Sequence, residues 1–150
     1  MMLLRPTDAA WYGVQDFRRI RAWQDARALT AKIYSATATF PPAERFGLTA
    51  QMRTAAVSIG ANLAEGCGRA TRADTLRFFQ MSFGSATELL HHLIIAADLG
   101  FVPQDTYLEL DQHLESVRRQ IAGFMRRLRT GPRSGPPSTY RPAEGRPPST

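Results

Sequence analysis

The sequence predicts an all-α fold: an antiparallel up-down-up-down four-helix bundle with a disordered C-terminal tail. Three observations predict it. Apolar residues between Phe17 and Leu128 recur at alternating spacings of three and four in four separate blocks. The first three blocks end at strong stop signals, Pro41-Pro42, Gly66-Cys67-Gly68 and Gly100. No run of β-branched alternation bounded by turns competes with them. Long helices joined by short loops pack antiparallel with their neighbours.

The first helix is expected from about Phe17 to Thr39, with Trp23, Ala26, Thr30, Ile33, Thr37 and Phe40 as its heptad-like seam. The second runs from about Leu48 to Gly66, with Leu48, Met52, Ala56, Ile59 and Leu63 on one face. The third opens at Thr71-Arg72-Ala73-Asp74, a capping box with Asp where Glu is commoner. It carries two apolar stripes. One is Leu76, Phe79, Phe83, Ala86, Leu90, Leu93 and Ala97; the other is Phe78, Ser82, Ser85, Leu89, His92, Ala96 and Leu99. They lie about 110° apart around the helix. A lone bundle buries mainly one stripe, so the second is expected to form a subunit interface. The fourth helix follows Pro103, with Tyr107, Leu110, Leu114, Val117, Ile121, Phe124 and Leu128 as its seam.

These blocks divide the chain into a flexible N-terminus (1–16), the bundle (17–129) and a tail (130–150). The tail holds six Pro, three Gly, three Ser and three Thr in 21 residues. It cannot bury enough apolar surface to offset chain entropy.

The chain has 150 residues, a net charge of +6 and a pI near 10.4. All its basic residues are Arg except Lys32. The guanidinium fork suits phosphate; GC-rich codon usage also raises Arg over Lys, but it does not explain the net charge. No stretch approaches the roughly 20 apolar residues that span a bilayer, and the start has no apolar run suited to a signal peptide. Cys67 is the lone cysteine, which excludes an intrachain disulfide. A cytoplasmic protein with no membrane partner is expected.

Chemistry finds little to stand on. A di-iron bundle needs two Glu-x-x-His pairs, and Glu88-Leu89-Leu90-His91 is alone, since Leu110 and Leu89 precede His113 and His92 at that spacing. Cys67 sits near a helix C-terminus, where the dipole disfavours a thiolate. There is no Walker A sequence and no G-x-G-x-x-G. The expectation is a non-enzymatic protein with no cofactor, no metal and no catalytic residues.

Two polar features stand out. Gln51, Ala55, Ser58, Asn62, Glu65 and Arg69 form a stripe beside the apolar face of the second helix. The small residues within it point to a half-buried hydrogen-bonded seam, within the bundle or between subunits, formed by Gln51, Ser58, Asn62 and Glu65 with Ser85 and Glu88 of the third helix. Solvent-facing surface is the alternative. Asn62 and Glu65 are expected to find partners on a neighbouring helix, because a buried unpaired charge is costly.

The second feature is charge polarity. In the predicted topology one pole collects Arg18, Arg19 and Arg21 from the first helix. Arg69, Arg72 and Arg77 join them from the second-to-third turn, and Arg126, Arg127 and Arg129 from the fourth helix. The other pole collects Glu44, Asp98, Asp105, Glu109 and Asp111, offset by Arg45. Dipole matching accounts for arginines at a helix C-terminus but not at helix N-termini. These nine arginines are the candidate nucleic-acid-binding residues, RNA before DNA.

The stretch Gln51-Met52-Arg53-Thr54-Ala55-Ala56-Val57-Ser58-Ile59-Gly60-Ala61-Asn62-Leu63-Ala64-Glu65-Gly66-Cys67-Gly68-Arg69 also resembles the signature of a bacterial family. Phe78-Phe79, Gly84-Ser85-Ala86-Thr87-Glu88-Leu89, Trp23-Gln24-Asp25-Ala26 and Phe40-Pro41 match it too. The family is the four-helix-bundle proteins named after reading frames in intervening sequences of 23S ribosomal RNA genes. The departures are Thr54 where Arg is common, Gly60 where Pro is common and Ser82 where Ala is common. Thr54 removes a charge and weakens a phosphate grip by this segment. The resemblance implies a bundle that assembles as a homopentameric ring. Its fold is similar to the accessory variability protein of diversity-generating retroelements, which binds a reverse transcriptase and nucleic acid. Expected partners are therefore the chain itself and RNA or DNA; a protein partner bound without nucleic acid is the alternative.

Overall fold

The computed structural model describes residues 16–130. The flexible start and the tail expected from the sequence otherwise lie outside the described residues. Asp16 and Thr130 are exceptions: the first caps a 3-10 turn and the second ends the last helix. A 3-10 turn, Phe17–Arg19, leads into α1 (Arg21–Thr37). A second short turn, Pro42–Glu44, precedes α2 (Leu48–Cys67); α3 (Arg72–Asp98) and α4 (Gln104–Thr130) follow. There is no strand among the described residues. Each helix packs against its two neighbours in a closed, antiparallel square, as the spacing pattern predicted.

Local chemistry sets the boundaries. Thr71 Oγ1 accepts from Asp74 N at 3.1 Å, one half of the expected capping box; Asp74 turns to Arg77 instead of closing the other half. Glu44 reaches forward to accept from Leu48 N at 3.0 Å and caps α2. Gly100 adopts φ 75°, which L side chains avoid, and it closes α3. Its N–H donates to Ala97 O and that of Phe101 to Ala96 O, the paired bonds of a Schellman stop.

The first helix is shorter than expected. Ile20 is extended (ψ 122°) and buried, so the chain breaks between the 3-10 turn and α1. The seam shifts with it. Ala22, Ala26, Leu29, Ile33 and Thr37 face the core, whereas Trp23 and Thr30 sit at its edge. Trp23 packs edge-on against Phe17 at 5.0 Å. Thr30 Oγ1 is drawn to backbone carbonyls, Ala26 at 2.8 Å and Ala56 at 3.2 Å, which fixes it at the α1–α2 border.

In α3 the core stripe runs midway between the two stripes read from the sequence. Thr75, a member of neither stripe, is buried, and so are Phe79, Ser82, Ala86, Leu89, Leu93 and Ala96, drawn alternately from both. The remaining members flank that line half-buried, and only Leu99 is exposed. A single bundle therefore uses both stripes, and the argument that one is surplus for a subunit interface does not hold. The exposed large apolar side chains are others: Tyr34, Phe46, Val57, Met81, Ile94, Ile95 and Leu108, with Leu99.

Candidate nucleic-acid interface

The antiparallel square brings the start of α1, the end of α2, the start of α3 and the end of α4 to one pole. Phe79 of α3 meets Phe124 of α4 there at 4.9 Å, and Gln120 Nε2 of α4 donates to Asp25 Oδ2 of α1 at 2.6 Å. At the other pole Lys32 of α1 pairs with Glu109 of α4 at 3.0 Å. Of the other acidic groups expected there, Glu44 is committed to its cap, and Asp105 Oδ1 accepts from Thr106 N at 2.8 Å.

The nine nominated arginines divide by what holds them. Arg18 is clamped by Asp16, whose carboxylate accepts from Nε and Nη2 at 2.6–3.1 Å. That bond, then the bond from Arg18 N, holds the Asp16 carboxyl down at about 2. Arg69 pairs with Glu65 one turn earlier, and its guanidinium lies 4.3 Å from the Phe78 ring centroid. Arg77 is 3.8 Å from Asp74 and also stacks on Phe78, at 4.9 Å. Arg72 is likewise engaged. Arg21 keeps only a loose contact of 4.0 Å with Asp25. Among the described residues, Arg19, Arg126, Arg127 and Arg129 form no ion pair.

Two of these unpaired arginines and Arg21 converge. Arg19 and Arg21, with Arg119 and Arg127 of α4, line a groove of about 380 Å³ whose floor is Ile20, Ala22, Gly123 and Phe124. Arg127 rests on Phe124, 5.0 Å from the ring centroid. Arg126 does not line the groove, although its Nη2 would stand 3.7 Å from a Cβ on Gly123, and Arg18, Arg69, Arg72, Arg77 and Arg129 do not line it either. Arg119 was not among the nominated residues. Its signal is the spacing Arg119, Gly123, Arg127, which sets two arginines on one face of α4 with a gap between them.

The polar stripe resolves into three parts. Ser58 and Ser85 meet across α2 and α3, with their Oγ atoms 2.9 Å apart. Asn62, expected to reach a neighbouring helix, instead donates to Ser58 O at 2.9 Å and Ser58 Oγ at 3.0 Å on its own helix. Glu65 does not cross either; it pairs with Arg69, and its carboxylate is half exposed. Gln51 is exposed, and Glu88, also exposed, accepts from or pairs with His92 one turn on at 3.2 Å. Within one chain the seam is thus a short serine contact flanked by surface pairs. The reason is geometric: small side chains let the two helices close, which leaves no room between them for Glu.

Cys67 is buried, and burial pushes its thiol up to about 11, with the Asp16 carboxylate adding to the effect. Among the described residues no three His, Cys, Asp or Glu side chains gather as a metal would require. No helix among them is long and apolar enough to cross a membrane.

The fold is thus an up-down four-helix bundle with an arginine-lined groove at one pole. The chain belongs to the family described as 23S rRNA-intervening sequence protein, whose model matches residues 18–123. A solved structure with the same fold is a protein of unknown function from the S23 ribosomal protein family of Bacteroides thetaiotaomicron. It has a TM-score of 0.66 and 15% identity, and the match covers 70% of this chain and 95% of that one. At that identity the likeness speaks for the fold alone. No curated protein matches the chain.

Proposed function

We propose that the protein is a non-enzymatic, homo-oligomeric bundle that binds nucleic acid, RNA before DNA, through its basic pole, and that it acts in the cytoplasm. The observation that carries this reading is the set of unpaired arginines at that pole. Guanidiniums without carboxylate partners keep their charge for an outside anion, and phosphate neutralisation supplies most sequence-independent affinity. Helix-dipole matching covers those at the end of α4 but not Arg19, just before α1, where cations are mildly unfavourable.

Self-assembly rests on different residues. Val57 of α2, Met81, Ile94 and Ile95 of α3, and Leu99, which follows α3, are exposed apolar side chains that an interface would cover. The pentamer implied by the sequence resemblance would give them cover. The same side chains favour the second reading, an adaptor that binds a protein partner and no nucleic acid.

Salt separates the two readings. A labelled single-stranded RNA should bind at micromolar concentration or tighter in ~50 mM salt and weaken steeply as salt rises. An absent shift at that salt leaves the adaptor reading in its place. Light scattering should show a species well above the 16.7 kDa chain; a stable monomer at micromolar concentration would remove the oligomer.

A further inference from the structure

We propose that the groove between the start of α1 and the end of α4 is a phosphate-binding site, occupied by consecutive phosphates of a single nucleic-acid strand. This rests on the nucleic-acid reading and assigns it a place. Four arginines, Arg19 of the 3-10 turn, Arg21 of α1 and Arg119 and Arg127 of α4, line one concavity of about 380 Å³. Bringing like charges together is unfavourable unless an anion joins them. Asp25, which contacts two lining residues, is already engaged: its Oδ2 accepts from Gln120 at 2.6 Å and lies 4.0 Å from Arg21. Four positive charges face Asp25 and, at Arg19, the carboxylate of Asp16, which Arg18 already holds, so the groove keeps a positive surplus for an outside anion.

The start of α1 adds to the site. Ile20 offers no side-chain cap, and the first turn carries no acid. The other three helices each have a carboxylate or hydroxyl at their start: Glu44 for α2, Thr71 and Asp74 for α3, Asp105 for α4. No side chain caps the first N–H groups of α1, those of Arg21 and Ala22, and both residues line the groove. Gly123 keeps its floor open. A Cβ there would meet only the tips of Arg126 and Arg127, at 3.7 and 3.9 Å, so the helix-weakening glycine is not required by packing.

Amide NMR tests the assignment with two probes. Inorganic phosphate should shift Arg21, Ala22 and Gly123, and a short single-stranded RNA should shift the same resonances at far lower concentration. The double variant Arg19→Gln/Arg119→Gln should lose the phosphate shifts while its circular dichroism stays that of the wild type. Its salt slope for RNA should flatten by roughly 1.4, at about 0.7 for each of two lost phosphate contacts on a single strand. RNA binding with these resonances silent overturns this inference and leaves the proposed function standing. Phosphate shifts without any RNA binding overturn the nucleic-acid reading, and the strand assignment with it. Shifts scattered over arginines outside the groove, such as Arg45 and Arg53, overturn the site itself.

Discussion

The α2–α3 seam and the α1–α4 seam are built from different materials. Between α2 and α3 the side chains are small and the backbones close: Ser82 Oγ donates to Ile59 O at 2.7 Å, Thr75 Oγ1 to Gly66 O at 3.0 Å, and Ser58 meets Ser85. A Cβ on Gly66 would stand 2.8 Å from the Phe79 ring. Between α1 and α4 the long polar side chains hold the helices apart. The seam closes through Asp25–Gln120 and Lys32–Glu109, and a groove opens at each end, about 380 Å³ at the basic pole and about 530 Å³ beside Lys32 and Glu109. One seam spends its polar atoms internally. The other leaves charge facing outward, and that is where a ligand can enter.

Paired glycine substitutions should show the contrast most strongly. Gly66→Ala forces a methyl against the buried Phe79 ring and should destabilise by about 1–3 kcal/mol, the usual cost of overpacking. Gly123→Ala meets nothing closer than two flexible arginine tips. It should stabilise by about 0.5–1 kcal/mol through helix propensity. Urea denaturation of both variants reads this directly; similar signs would erase the distinction between the seams.

Smaller effects should follow the same division. Ser82→Ala removes a donor from the Ile59 carbonyl inside the tight seam and should cost about 1 kcal/mol. Glu65→Ala, by contrast, breaks only an exposed pair with Arg69. It should cost under about 1 kcal/mol, less than a buried partner would have cost. Smallest is the pH effect of Asp16. Its carboxyl titrates near 2, below the ordinary 3.8, so its contribution is present above that ordinary value and fades as pH falls towards 2. An NMR titration of the Asp16 carboxyl should give that low midpoint, and Arg18→Gln should bring it back up.

The bundle was legible in the sequence because apolar spacing survives without knowledge of neighbours. Met52, Ala56, Ile59 and Leu63 face the core as their period requires. Details set by neighbours were less legible. Trp23 and Thr30 lie one position off the α1 core line because Phe17 holds the one at the edge and the Ala56 carbonyl of α2 the other. The pattern assigns one stripe of α3 to the core and the other to a subunit interface, yet the core line lies between them and takes from each. The basic pole followed from topology alone. Which arginines remain unpaired did not, because Asp16, Glu65 and Asp74 select their partners at distances of one turn or less. Arg119 joins the site only once α1 and α4 are side by side.

The central claim is that unpaired arginines at the α1–α4 seam carry binding while paired arginines at the α2–α3 turn do not. The most direct measurement is fluorescence anisotropy of a labelled single-stranded RNA with two double variants at matched salt. Arg19→Gln/Arg119→Gln should weaken binding at least about tenfold, on the order of one lost charge-assisted hydrogen bond. Arg69→Gln/Arg77→Gln, which removes the same charge from the same pole, should change it less than about twofold. Equal losses from the two variants would contradict the account, since the pole would then act through net charge and not through the groove.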